Sequence, residues 1–358
     1  MLKPSRLKQG DKVAIVSLSS GMLGEEFCQH NLKIGEKRLK DFGLTPVFMP
    51  NTLKGITYLQ EHPEARATDL KAAFADETIK GIICSIGGDD TYRLLPYLME
   101  DQEFIHLVKN NPKIFTGFSD TTINHLMFYQ LGLSTYYGPA FITDLAEIST
   151  DMLPYSKKHF EIFLENSELL TEIVPSNLWY EERTDFSAAA IGQERIIYWD
   201  EKGFELLQGK ASFEGKLLGG CLDSFYDILT SSHYSDERTI CEKYNLFPEL
   251  SEWRNKILFL ETSEEKPAPN QFEKYLLALK EQGIFEVISG IILGKPQDET
   301  YYQEYKKVLM KVIANPDLSI LYNLNFGHAT PRCILPYGIY TRVDATANKL
   351  IFEEELFD

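Results

Sequence analysis

Lys113–Thr122 reads KIFTGFSDTT. Ile114, Phe115 and Thr116 make a short apolar and β-branched run, which predicts a buried strand. Gly117 permits a sharp turn, and Thr121-Thr122-Ile123 opens an apolar pattern with helical spacing. Ser119 therefore falls at a strand-to-helix corner. A serine there has its hydroxyl pushed out of the sheet, and the amides of the next helix start point at whatever lies beside it. Nucleophilic serines use this geometry. Capping a helix is the commoner task for a serine so placed, and Asp120 or either threonine would cap as well.

The same rhythm extends outward from this corner. Apolar strands are expected at Lys12–Ser17, Pro46–Met49 and Gly81–Ile86, alternating with helical patterns at Asn31–Phe42, Glu64–Ala75 and Thr91–Met99. A further helix is expected from Thr121 to Tyr129. Such alternation implies a parallel sheet covered on both faces, with ligands bound at the carboxyl ends of strands. Beyond residue 145 the rhythm breaks. Asp151–Glu165 looks helical, and Ser176–Gly192 is polar and aromatic without a period, as in a linker or a mobile binding segment. A second periodic block follows, with Gly215–Leu229, a strand at Lys256–Glu261, a helix at Gln271–Gln282 and a strand at Gly290–Leu293. It continues with a helix at Tyr301–Ala314, a strand at Tyr322–Phe326 and β character over Tyr340–Phe352. The expected division is an N-terminal α/β domain over 1–145, a linker and substrate-contacting loop over 146–214, and a C-terminal domain over 215–358.

Composition narrows the functional class. The chain has 358 residues and a net charge of -17, so nucleic acid is not an expected partner, because phosphate binding needs a clustered basic surface. No apolar run reaches the ~18 residues of a membrane span. The first residues lack the apolar core of a signal peptide, so a cytoplasmic protein is expected. Five widely spaced cysteines form no CxxC pair and read as free thiols in a reducing compartment, with no structural zinc expected.

Three other segments carry candidate chemistry. Ile86–Thr91 reads IGGDDT, the same kind of junction one unit earlier. Gly87 and Gly88 let the backbone approach a ligand closely, and their amides could form an oxyanion hole beside Ser119. Asp89 and Asp90 put carboxylates where a phosphate would sit, which argues against a nucleotide-phosphate cradle. A tight turn is the structural alternative, and a divalent metal on the two aspartates lacks a third nearby ligand. Glu261 ends the apolar strand KILFLE, and His328 follows Gly327 after YNLNF. Of the seven histidines, His328 is best placed as a general base. His62, His106, His159 and His233 sit in polar surroundings and are expected to be exposed. His30 and His125 lie in helical patterns, and His125 is over one and a half turns from Ser119, too far to take its proton. A serine nucleophile needs a base within hydrogen-bond reach, and the base needs a carboxylate to orient it. Ser119, His328 and Glu261 supply these three types at strand ends, and the spacing leaves open whether they meet.

Together these segments resemble the serine carboxypeptidase family that contains LD-carboxypeptidases and the microcin C immunity enzyme. The resemblance runs through LKQGDKVAIVSLSS (7–20), RATDLKAAF (66–74), IGGDD (86–90), PKIFTGFSDTT (112–122) and YGP (137–139). It continues through GKLLGGCL (215–222), LFLETSEE (258–265), GH (327–328) and PYGIYTRVD (336–344). It implies a flavodoxin-like parallel-sheet N-terminal domain, and a smaller β-rich α+β C-terminal domain. It also implies a metal-free, cofactor-free cytoplasmic homodimer. It puts the nucleophile on Ser119, the carboxylate on Glu261, the base on His328 and the oxyanion hole on the amides of Gly88 and Asp120. The implied reaction is hydrolysis of an amide near a free carboxylate through an acyl-enzyme, in a small peptide or peptidyl-nucleotide. Gly87, Asp89, Arg332 and Arg93 are candidates for substrate contacts, the two arginines for binding the carboxylate. LETSEEKPAP and the long Ser176–Gly192 segment look more like the microcin-immunity branch, in which Trp179 would stack on an adenine; a partly buried loop anchor is the alternative role for Trp179. Cys221 stands where the family often has asparagine. The other substrate reading is a cytoplasmic murein tetrapeptide, cut by an LD-carboxypeptidase. A noncatalytic ligand-binding protein on a two-domain scaffold is the reading from a different class. The lack of a signal core and the presence of all three triad types weigh against it.

Overall fold

The computed structural model describes residues 1–358. The apolar runs around Ser119 become β1 (Lys12–Val16), β2 (Thr45–Phe48), β3 (Ile79–Cys84), β4 (Ile114–Gly117) and β5 (Tyr136–Tyr137). They pair in parallel in the order β5-β4-β3-β1-β2. Residues 13–16 and 114–117 are buried without alternation, as expected of strands covered on both faces. Helices Gln29–Asp41, Pro63–Ala75, Gln102–Asn110 and Thr122–Gln130 supply the cover. Thr91–Met99 differs from the single helix expected. It divides into a 3-10 turn, Thr91–Leu94, and a short α-helix, Leu95–Met99, with Pro96 in its first turn, where the missing N–H costs nothing. The helix Gln102–Asn110 adds to the expected set, and the Asp101 carboxylate caps it by accepting from the amides of Glu103 and Phe104.

The chain forms two compact units. The first comprises Met1–Leu169, Arg183–Arg195 and Phe357–Asp358; the second comprises Leu170–Glu182 and Ile196–Leu356. Residues 146–214 are thus shared between the two units. The expected Asp151–Glu165 helix is shorter, Pro154–Glu161, because Pro154 occupies its first turn. Arg183 and Arg195 are held in the first unit by one buried carboxylate, Glu147, at 2.9 and 2.8 Å.

The second unit carries β6 (Glu172–Ile173), the hairpin β7 (Leu178–Tyr180) and β8 (Ile197–Trp199), then β9 (Glu205–Gln208) and β10 (Ser212–Cys221). They are followed by β11 (Lys256–Glu261), β12 (Gly290–Gly294), β13 (Ser319–Leu324), β14 (Leu335–Pro336), β15 (Tyr340–Asp344) and β16 (Lys349–Phe352). Its curled main sheet runs β6-β16-β15-β10-β11-β12-β13-β9. The central four, β10 to β13, are parallel, and the flanking pairs are antiparallel. Parallel pairing sets Cys221 opposite Glu261 at the carboxyl ends of β10 and β11. The whole is a mixed α/β architecture, with a parallel sheet in one unit and a β-rich mixed sheet in the other.

Candidate active site

The first unit builds a braced corner around Ser119. Ser119 has φ 65°, a left-handed conformation that costs a residue with a Cβ about 1–3 kcal/mol. Several bonds hold it there. The Ser119 amide donates to Tyr137 Oη at 3.0 Å, and Thr122 Oγ1 donates to the Ser119 carbonyl at 2.7 Å. Behind the corner lies His125, buried, with Nε2 2.9 Å from the Gly117 carbonyl and Nδ1 2.8 Å from Thr135 Oγ1. Burial pushes its pKa down to about 3, so the ring is neutral and carries one N–H. The carbonyl can only accept, so Nε2 is the donor and Nδ1 accepts from the threonine. His125 is a strut under the corner.

The IGGDD turn lies against this corner. A Cβ on Gly87 would sit 2.9 Å from Ser119 Cβ and 3.1 Å from its Oγ. Gly88 has φ 151°, and a Cβ there would overlap Ser19 Oγ. Ser19 Oγ organises the turn by accepting from the amides of Asp89 and Asp90 at 3.0 and 3.2 Å. Asp90 faces inward, with its two oxygens 2.5 and 3.0 Å from the guanidinium of the fully buried Arg66. That ion pair uses up one of the two carboxylates that could have met a ligand or metal; Asp89 is exposed. Asp120 is buried and accepts from the Thr91 amide at 2.9 Å, tying the two corners together. Burial, followed by smaller effects of the charges on Asp90 and Asp89, pushes its carboxyl up to about 7.

The second unit builds the other corner. Glu261, the last residue of β11, is 1% exposed. Its Oε2 accepts from the His328 backbone amide at 3.2 Å and from His328 Nδ1 at 2.8 Å. This approach requires Gly327, which has φ 76° and where a Cβ would overlap Glu261 Cγ and Cδ. Arg332 Nε donates to the Gly327 carbonyl at 2.8 Å, and the Cys333 amide to the Asn325 carbonyl at 2.6 Å, which fixes the loop. The other ring nitrogen of His328, Nε2, lies 2.7 Å from Glu264 Oε2. Burial by itself lowers the histidine's pKa, but the charges and hydrogen bonds of Glu261 and Glu264 outweigh it and raise the value to about 10. Cys221 Sγ, a Glu261 oxygen and a His328 nitrogen lie within 4.8 Å of one another, a donor set suited to a soft divalent ion. Burial, then the charges of Glu261 and Asp223, push the Cys221 thiol well above its usual range. Metal entry would therefore have to remove that proton and open the Glu261–His328 bond.

Family models for the LD-carboxypeptidase N-terminal domain and C-terminal domain match residues 13–138 and 214–343. The chain belongs to the LD-carboxypeptidase family. The structure of an MccF-like protein from Streptococcus pneumoniae in complex with AMP superposes with a TM-score of 0.93. It is 52% identical, over 96% of this chain and 99% of that one. Microcin C7 self-immunity protein MccF of Escherichia coli is 27% identical, over 81% of this chain and 78% of its own length. A Bacillus subtilis protein named "Probable murein peptide carboxypeptidase" is 25% identical, over 98% and 94%. No helix in this member of the family is long and apolar enough to cross a membrane.

The remaining candidates have varied surroundings. Trp179 is half-buried and stacks on Tyr198 across the β7–β8 hairpin, with centroids 4.2 Å apart, and Lys295 Nζ lies 5.4 Å from its ring centroid. Tyr198 and Trp199 are the exposed aromatics of this hairpin, Trp199 the more so. Arg332 is buried, and Arg93 is half-buried with Nε 3.3 Å from Tyr92 Oη. His159 corrects an expectation: it is buried, not exposed, because its helix turns that face inward, and burial pushes its pKa down to about 3. The five cysteines are free and buried. Glu264, Ser19 and Tyr137 were not among the sequence candidates. Glu264 stands within LFLETSEE, three residues past Glu261, and Ser19 lies just past the end of β1; no local pattern marks Tyr137.

Proposed function

We propose that the protein is a serine carboxypeptidase that hydrolyses an amide next to a free carboxylate in a small peptidyl-nucleotide or peptide. Ser119 is the nucleophile, His328 the general base and Glu261 its orienting carboxylate. Residues 1–145 supply the nucleophile, 215–358 the Glu and His, and 146–214 substrate contacts. The observation that carries this reading is the buried 2.8 Å bond from His328 Nδ1 to Glu261, which leaves Nε2 as the nitrogen for proton transfer. The positive φ of Ser119 supports it, since strained non-glycine backbone collects at working residues.

In this mechanism Ser119 Oγ attacks the carbonyl carbon while His328 Nε2 takes its proton. The amides of Gly88 and Asp120 donate to the oxyanion. The C–N bond then breaks as His328 returns the proton to the leaving nitrogen. Water repeats the sequence on the acyl-enzyme and releases the carboxylic acid. Gly87, by lacking a Cβ, leaves Ser119 Oγ accessible, and Asp89 and Arg332 border the substrate.

The likeness to the AMP-bound MccF-like protein supports a nucleotide-bearing substrate, and the likeness to the Bacillus subtilis carboxypeptidase supports a murein tetrapeptide. Side-by-side assays of aspartyl sulfamoyl adenosine and a murein tetrapeptide decide between them; turnover of the tetrapeptide alone removes the nucleotide reading. A fluorophosphonate probe should label Ser119, and turnover that survives Ser119→Ala would sink the enzyme reading. Stacking by Trp179 predicts a raised KM for the adenylate in Trp179→Ala, with simpler amides unaffected. The reading includes a cytoplasmic homodimer, so sedimentation should give twice the 41.0 kDa chain mass.

A further inference from the structure

We propose that Glu264 is a carboxylate latch on His328: it holds Nε2 in the resting protein and must swing away before that nitrogen can accept a proton. This rests on the reading of His328 as the general base. His328 has two ring nitrogens and a carboxylate on each, Glu261 at 2.8 Å and Glu264 at 2.7 Å. A carboxylate can only accept, so both nitrogens are donors and the ring is an imidazolium. An imidazolium has no lone pair with which to take a proton from a serine hydroxyl. The resting arrangement is therefore unable to start catalysis.

The two carboxylates are not equivalent. Glu261 is buried at the end of β11 and is also bound to the His328 amide, whereas the Glu264 side chain is 62% exposed. The turn that carries Glu264 is anchored on both sides. Ser263 bonds Asp223 through its amide and its hydroxyl at 3.1 and 2.8 Å, and Lys266 Nζ bonds Asp298 at 2.5 Å. Glu264 can thus leave by side-chain rotation alone, into water that solvates it. When it leaves, one of the two charges that hold the proton on His328 goes with it, so opening the latch and freeing the base are one event.

The test compares wild type with Glu264→Gln and Glu264→Ala in the full-length protein. The His328 ring titration is followed by NMR and the pH profile of kcat/KM is measured on whichever substrate is turned over. In Glu264→Ala the His328 titration and the acid limb of kcat/KM should both move down by about one pH unit or more. Each unit of that shift raises kcat/KM on the acid limb by up to about tenfold. Glu264→Gln should show a smaller shift of the same sign, because its amide oxygen can still accept. Both profiles superposing on wild type overturns the latch, and so does a His328 shift without any movement of the acid limb. Failure of the underlying reading is seen separately, as turnover that survives His328→Ala.

Discussion

At the end of β4 the residue with left-handed backbone has a side chain, Ser119 at φ 65°; after β13 it is a glycine, Gly327 at φ 76°. The two corners spend backbone conformation differently. At Gly327 the backbone must pass a buried carboxylate, and a Cβ would overlap Glu261, so glycine is required. At Ser119 a glycine would be less strained, yet a hydroxyl is presented, and Tyr137, Thr122 and His125 hold the corner in place. The lesson is that backbone strain is retained where the side chain itself is wanted, and removed where only clearance is needed.

Ser119→Ala should show the largest effect. It should lower kcat/KM by about 10⁴-fold or more with little change in Tm. Ser119→Gly should be equally inactive yet more stable than the alanine variant, because it releases the left-handed strain; equal Tm values would break the comparison. Glu261→Gln keeps the shape of the second corner but removes its charge. It should cost about 10³–10⁴-fold in kcat/KM and bring the His328 titration down toward its ordinary range. Gly327→Ala tests clearance directly. Overlap with Glu261 and positive φ together should destabilise the fold by about 2–4 kcal/mol in urea unfolding, and an unchanged midpoint would show that the loop can shift.

The effects of pH on stability have opposite signs in the two units. His125 and His159 have folded pKa values depressed to about 3, so the unfolded chain binds their protons first. Their contribution is present above about pH 6.5 and is lost as pH falls from there toward 3. His328, raised to about 10, contributes fully below about pH 6.5 and loses that contribution as pH rises toward 10. Calorimetry should show a flatter acid side for His159→Gln and a flatter alkaline side for His328→Asn.

The fold was legible where burial has a local signature. KILFLE is buried throughout save its first lysine, and its strand runs over Lys256–Glu261 as read. His159 was misread because its helix is mostly polar, and which face it buries depends on what packs there. Asp90 gave no sign that Arg66, 24 residues earlier, would claim both its oxygens. Likewise the polar run after Trp179 concealed two arginines whose partner, Glu147, lies 36 and 48 residues away.

By itself the sequence determined the alternation of strands and helices, the strand-to-helix corner at Ser119 and the residue types available for chemistry. These follow from periodicity, turn glycines and side-chain identity, which act over a few residues. Tertiary structure decided that Glu261 and His328, 67 residues apart, share a hydrogen bond. It also decided that Glu264 takes the ring's other nitrogen and that Asp90 turns inward. Those outcomes depend on strand register and on competition among buried charges for partners, and both are set only when distant segments pack.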